Sequence, residues 1–465
     1  MKAPAAFSLA YGPGRLRIVP PAGRFTPLVA APPPVLADAA ASLREALDVP
    51  IEAPPLRELI RPADRATIVV SDATRVTGAR ELLPPLLAYL DSAGLSPARV
   101  RILFALGIHR PQAPAEQAAI VGGEVAARIA HADHACDDER ALETLAIEGP
   151  AAGVRLNRQV LGGGLVIVTG TIAFHYLAGF GGGRKALLPG VAARESVRAF
   201  HSRSLAVEAG AGRHPAVASG TRAGNPLDAF ATAAARALPR TFLINTIMAP
   251  PGGVARATAG DVAVGGAGNA AAGSVAAGGA GSAVASGVAS IWAGDLTAAF
   301  DHGCETYRAQ FTVPILERRP VVIVSAGGTP RDCDLVQAQK AIGAGAAALA
   351  PGGMLLVLAA CAEGAGQAEL LRWFAHPNRT SHVAALRAGF SVPGQTALAL
   401  REHAERARVY LRSELAPDVV ARTGMIPVAR LEDFFAEMVR GYGTDVEGYV
   451  LPEGARYLPV ARAGA

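Results

Sequence analysis

Ala66-Thr67-Ile68-Val69-Val70 leads without a break into Ser71-Asp72-Ala73-Thr74-Arg75. A short run rich in β-branched residues that stops at a polar turn reads as a buried strand, because so brief an apolar stretch cannot make a stable helix but can fill the middle of a sheet. Similar runs recur at Val100 to Leu106, Leu165 to Val168, Val321 to Val324, Met354 to Leu358 and Val409 to Leu411. After each comes a turn containing glycine and then a longer stretch rich in Ala, Leu and Arg. This alternation is the signature of an α/β protein with largely parallel sheets. Two such domains, enclosing a cleft for the active site, are expected. The first covers residues 1–316 and the second 317–448, divided where Glu317-Arg318-Arg319-Pro320 precedes a fresh strand. The tail, 449–465, is expected to pack back on the first domain.

The chain has 465 residues, 51% of them hydrophobic, which is length enough for two sizeable cores. Between Asp261 and Asp295 it is almost wholly Gly, Ala, Ser and Val. Such a stretch buries too little surface to offset its ordering entropy, so about 262–290 is expected to be a flexible insertion. Cys136, Cys304, Cys333 and Cys361 lie far apart without CxxC spacing, which suggests neither a disulfide framework nor a cysteine zinc site. The uncharged stretch Ala341 to Ala362 is nominally long enough to cross a bilayer, but Pro351-Gly352-Gly353 divides it into a helix and a strand. No membrane span is expected. Lys2 is soon followed by Tyr11-Gly12-Pro13-Gly14 and Arg15, so a signal peptide's apolar stretch is missing and a cytoplasmic location is expected.

A net charge of +5 invites a nucleic-acid reading, but the arginines are scattered, no basic run appears and aromatics are 5%. An anionic small molecule fits better. Only three of the 44 Lys+Arg residues are lysines: Lys2, Lys185 and Lys340. Wherever a generic positive charge suffices, this chain uses arginine. The two internal lysines therefore look chemically required, since an amine can lose its proton and form a covalent bond where a guanidinium cannot easily do so.

Ligands of open α/β sheets collect at the carboxyl ends of the strands, so the polar residues there belong together. They are Asp72 and Arg75 after the first strand and His109 after the second. After the third come His175 and the loop Gly181-Gly182-Gly183-Arg184-Lys185. Asp334, Gln337 and Lys340 follow the strand that opens the second domain. The glycine loop beside two cations suits a phosphate or another anion, although the P-loop pattern fails because Ala186 follows Lys185. A structural turn is the plain alternative. His109, His175 and His201 are each, singly, more often structural than chemical. As a set, two could exchange a proton with either face of a substrate and a third could bind a metal. His131 and His134 beside Asp133, Asp137 and Asp138 lack a third confident ligand and read as a solvated polar segment. Arg75 could hold a substrate carboxylate, with Lys340 adding a second charge and Gln337 sharing its helix face.

Taken together, these segments resemble the nickel-dependent lactate racemase family, the nickel-pincer 2-hydroxyacid racemases and epimerases. The resemblance rests on SDATR, ALGIHRP, GFGGGRKALLPG, FHSRSL, GNPLDAF, FLINTIM, AGDLTAAFDHGCE and SAGGTPRDCDLVQAQKAI, which span most of the chain. It implies an N-terminal catalytic and cofactor-binding domain. It also implies a nickel-pincer nucleotide, pyridinium-3,5-bisthiocarboxylic acid mononucleotide nickel, attached covalently at Lys185 and made by separate cofactor-biosynthesis enzymes. By the same resemblance His201 is the metal ligand and His109 and His175 are the acid/base pair. Arg75, Gln337 and Lys340 contact a small 2-hydroxy acid, while Asp72, Arg184, Gly181, Gly182 and Gly183 support the cofactor. The implied reaction inverts Cα by reversible hydride transfer. The family commonly has serine where Gly181 stands and proline where Val76 stands. Two other readings compete: a nucleotide- or phosphate-dependent transferase using the glycine loop, and a non-catalytic hydroxy-acid-binding protein. Neither accounts for the three histidines and both lysines together, and neither nucleic acid nor membrane enters as a partner.

Overall fold

The computed structural model describes residues 5–61, 65–208, 211–249 and 287–461. Ala66–Ser71 is a strand whose Ile68, Val69 and Val70 are fully buried, and it sits at the centre of a six-stranded sheet. Across that sheet the order is Val288–Gly294, Thr241–Met248, Leu165–Thr171, Ala66–Ser71, Val100–Ala105 and Ala130–Asp133. All neighbours are parallel except Val288–Gly294, which returns antiparallel along Thr241–Met248. The chain winds outward from Ala66–Ser71 to one edge, then restarts on its other side at Leu165–Thr171. That reversal leaves a crevice at the carboxyl ends of the two central strands.

A second six-stranded sheet, parallel throughout, has the order Ile426–Pro427, Arg408–Arg412, Leu349–Leu358, Arg319–Ser325, Glu447–Leu451 and Arg24–Pro27. The uncharged stretch from Ala341 does divide into a helix and a strand, but the break falls between Ala348 and Leu349, and Pro351-Gly352-Gly353 lies inside strand Leu349–Leu358. No helix among the described residues is long and apolar enough to cross a membrane.

Three expectations about boundaries change. Residues 7–27 do not join the first domain. The hairpin Phe7–Tyr11 with Gly14–Ile18 shares a core with Val321, Ile323, Met354 and Leu356, and Arg24–Pro27 completes the edge of the second sheet. An edge strand goes to whichever sheet offers an open edge, and local sequence does not say which. The tail also divides: Tyr449–Leu451 belongs to the second sheet, whereas Leu458–Ala461 pairs with Thr312–Ile315. Most of the expected insertion, 262–286, lies outside the described residues. Its last part does not behave as an insertion, because Val288–Ser290 is the start of an edge strand with Val288 fully buried.

The two sheets meet through side chains near the cleft. Arg213 donates from Nε to Glu402 at 2.7 Å, and Arg387 donates to the carbonyls of Ala206 and Glu208, both at 2.6 Å. Tyr176 donates from its hydroxyl to Gln395 at 3.3 Å. The Arg213 and Glu402 side chains are only 17% and 4% exposed, so removing one strands the other away from water. Glu402→Ala is expected to lower the unfolding free energy by about 3–5 kcal/mol, read as a fall in the urea midpoint, with Glu402→Gln losing less.

Candidate active site

The polar residues expected at the strand ends do converge. Asp72 follows the central strand and is 5% exposed. Its Oδ1 accepts from Thr74 N–H at 3.2 Å and Thr74 Oγ1 at 2.7 Å, while Oδ2 lies 2.5 Å from His109 Nδ1. Burial pushes the Asp72 carboxyl up, but the His109 contact, Thr74 and the Arg75 charge outweigh it, and the group is held below its ordinary value. An ionised carboxylate at Nδ1 requires the proton there, so the other ring nitrogen, Nε2, is free to act as a base. The turn is braced by Gln112, which accepts from Ala73 N–H and donates to Asp133. Asp133 is thus a brace, not a metal ligand. His134 is buried, with Nε2 3.0 Å from the Ala192 carbonyl and Nδ1 3.2 Å from Asn157 Nδ2. The solvated segment expected around these residues is therefore in part a packed one, and among the described residues no group of three or more potential ligands could hold a metal.

His175 sits on the short strand Phe174–His175, paired with Gly179–Phe180. Its Nδ1 accepts from the N–H groups of Leu177 at 3.2 Å and Ala178 at 3.1 Å, and Nε2 faces Lys185 Nζ at 2.9 Å. Gly179 has φ +76, and a Cβ there would lie 2.1 Å from the Thr221 carbonyl, so only glycine permits the turn. Asn225 holds the turn from outside, donating to the Leu177 carbonyl at 2.8 Å while its own carbonyl caps helix Pro226–Arg236.

The glycine loop departs from the anion cradle its sequence suggested. Gly181 N–H donates to the Ala173 carbonyl at 2.7 Å and Gly183 N–H to Asn245 Oδ1 at 2.8 Å, so two of the three glycine donors are already used. The glycines allow close packing instead. A Cβ on Gly182 would meet Asn245 Oδ1 at 2.6 Å, and one on Gly183 the Phe300 ring at 2.6 Å. Arg184 is corrected in the same sense. It is 2% exposed, ion-paired with Asp228 and stacked 4.3 Å over Phe300, so it anchors the loop from beneath. Lys185 alone points to His175. Burial, then the charges of Arg75, Arg184 and Lys340, holds its amine well below the ordinary lysine value.

His201 lies on helix Arg194–Ser202 and donates from Nδ1 to the Val197 carbonyl at 2.9 Å. That bond leaves Nε2 as a lone pair, the arrangement a metal ligand requires. Burial, then the Lys185 and His109 charges, brings its pKa down to about 4 even though the Val197 bond favours the cation. From the second domain, Lys340 donates to Gln337 Oε1 at 2.5 Å, on a helix capped by Asp334. Burial and Arg75 bring Lys340 to about 7, with Asp334 opposing. Arg75 is exposed and has no carboxylate partner among the described residues. The residues that sequence reasoning missed are Asn225, Asn245, Tyr176 and Phe300. Only Asn245, a polar residue inside an apolar strand, carried a signal.

A cleft lined by cations between two largely parallel sheets, with a carboxylate-oriented histidine and a second histidine set on a lysine amine, is the arrangement of a two-domain α/β enzyme. The family models for the lactate racemase N-terminal and C-terminal domains match residues 11–212 and 317–457 respectively. The chain belongs to the lactate racemase family, and is an isomerase. The lactate racemase of Thermoanaerobacterium thermosaccharolyticum is 27% identical over 335 residues, 71% of this chain and 68% of that protein. That of Lactiplantibacillus plantarum is 27% identical over 325 residues, 70% of this chain and 67% of that one. The structure of the lactate racemase apoprotein from T. thermosaccharolyticum has a TM-score of 0.83 at 23% identity, covering 98% of this chain and 100% of that one. A crystal structure of a protein from Thermotoga maritima has a TM-score of 0.62 at 16% identity, covering 91% and 98%. At these identities the solved structures speak to the fold. Because Gly183 has φ +55 and abuts Phe300, Gly183→Ala is expected to cost about 1–3 kcal/mol of stability, measured by chemical denaturation.

Proposed function

We propose that the chain inverts Cα of a small 2-hydroxy acid, lactate or a near relative, using a nickel-pincer nucleotide held on Lys185. The observation that carries this reading is the 2.9 Å contact of Lys185 Nζ with His175, in a cleft that also receives His109, His201, Arg75 and Lys340. The residues fit such a group. His201 offers Nε2 to a metal because Nδ1 is committed to Val197, and Lys185 offers an amine whose pKa burial and the neighbouring cations hold well below the ordinary lysine value. When bound, the cofactor supplies an acceptor for the Cα hydride. Arg75 and Lys340 hold the carboxylate, Arg75 with a bidentate fork and Lys340 as a point charge. His109, aligned by Asp72, takes the hydroxyl proton in one direction, and His175 takes it in the other once its own proton moves from Nε2 to Nδ1, displacing the Leu177 and Ala178 contacts. Inversion follows when the imidazole that takes the proton from one enantiomer is matched by the other imidazole giving a proton to the oxygen of the planar ketoacid, so the two serve opposite enantiomers. The relatives' printed names, lactate racemase, support the same substrate class. The transferase reading loses ground because the loop's Gly181 and Gly183 N–H groups are already bonded.

The direct test is to produce the wild type and Lys185→Ala together with cofactor-biosynthesis proteins, then measure bound nickel, intact mass and interconversion of D- and L-lactate. Nickel, a Lys185-dependent mass increment and racemisation are expected in the wild type alone; a folded wild type lacking all three beside a positive control would refute the reading. A pH dependence follows from Lys340. It is cationic below about 7 and neutral above, so its attraction for the substrate carboxylate is present at low pH and lost as pH rises through about 7. Steady-state kinetics should show KM climbing across that range, and Lys340→Arg should flatten the climb because a guanidinium stays charged.

A further inference from the structure

The tautomer of His175 is decided by its surroundings. Nδ1 accepts two backbone N–H groups, from Leu177 and Ala178. A neutral imidazole has one proton and one lone pair, so the proton lies on Nε2. The atom facing Nε2 is Lys185 Nζ, at 2.9 Å. An ammonium has three protons and no lone pair, and two donors cannot share one hydrogen bond. Nε2–H therefore donates and the Lys185 amine accepts. Nothing nearby restores the amine's charge, since no carboxylate among the described residues pairs with Lys185 and the charged groups acting on it are Arg75, Arg184 and Lys340. Lys340 differs, because its partner is the Gln337 carbonyl oxygen, which accepts from an ammonium equally well.

We propose that His175 has a second task before any substrate arrives: as a positioning residue it holds Lys185 in place as an uncharged amine, whose lone pair leaves the Nε2–H hydrogen bond to bond an electrophilic acyl or thioacyl carbon. This deepens the proposed function, because the lysine-linked cofactor is its natural electrophile, but the amine's state does not depend on that cofactor. It also separates the two histidines, since His109 is tied to Asp72 and has no part in Lys185 capture.

The test uses the full chain free of cofactor and a small neutral reagent, N-hydroxysuccinimidyl acetate, applied briefly at pH 7. The Nζ lone pair forms an N–C bond, the ester C–O bond breaks, N-hydroxysuccinimide departs as its anion and the amine's surplus proton goes to solvent. With three lysines in the chain, peptide mass mapping reads each site. An ordinary lysine amine is only about 0.04% unprotonated at pH 7, so Lys185 should react at least about tenfold faster than Nα-acetyllysine methylamide in the same tube. His175→Asn keeps an acceptor for the turn's N–H groups but cannot reach Nζ, and should lower the Lys185 rate about tenfold while leaving the Lys340 rate unchanged. His175→Gln, with a longer N–H donor, should recover part of it, and His109→Gln should change nothing. A Lys185 no faster than the free amine, or equal rates in wild type and His175→Asn, would overturn the proposal. Intact mass after co-production with cofactor-biosynthesis proteins separates the two claims. A reactive Lys185 that gains no cofactor mass refutes the cofactor reading alone, whereas a cofactor adduct formed equally well in His175→Asn refutes the positioning role alone.

Discussion

An imidazole N–H resting on an amine lone pair, His175 against Lys185, is the contact around which the cleft is arranged. It demands that both side chains be placed to a few tenths of an ångström from separate parts of the chain. On one side the Phe174 to Phe180 turn is closed by Gly179 and tied by Asn225. On the other the glycine loop is wedged between Asn245, Thr171 and Phe300, and pinned from below by Arg184 on Asp228. Substituting these supports would leave both reactive groups in the chain and remove the relation between them.

Charge crowding is the second constraint. Arg75, Lys185, Lys340 and the histidines act on one another across the cleft. Burial first, and then the neighbouring charges, Arg75 foremost, lower the pKa of both Lys185 and Lys340. Among the described residues Arg75, Lys185 and Lys340 have no ion-paired carboxylate, so they make a site that an anion relieves, which is why a carboxylate-bearing substrate suits it. The second domain contributes Lys340 and Gln337, and its helices grip the first domain through Glu402, Arg387 and Gln395. The electrostatics therefore exist only when the two sheets are docked.

Much of this was legible in the chain. The β-branched runs at Ala66, Val100, Leu165, Val321, Met354 and Val409 are all strands, because a fully buried parallel strand has to be apolar on both faces. The scarcity of lysine marked Lys185 and Lys340 before any geometry was known. The glycine loop was read as an anion cradle on the strength of its composition, yet its N–H groups turn inward, since glycine signals backbone freedom without saying what approaches. Arg184 looked like a ligand for the same reason that Lys185 did, and only the position of Asp228 and Phe300 separates them. Residues 7–27 fell to the wrong domain because pairing between strands hundreds of residues apart leaves no local mark.

The sequence by itself determined the α/β class, the strand positions, the chemistry available at each strand end and the family to which these motifs point. Periodicity and residue type are local properties, and these conclusions need nothing more. The tertiary structure decided which nitrogen of each histidine is free, which loop cation faces the cleft, and that Lys185 accepts a hydrogen bond rather than donating one. Those outcomes depend on carbonyls, amides and carboxylates brought from distant segments. The protonation and direction of a side chain follow from its neighbours in space, and the chain order does not contain them until it is folded.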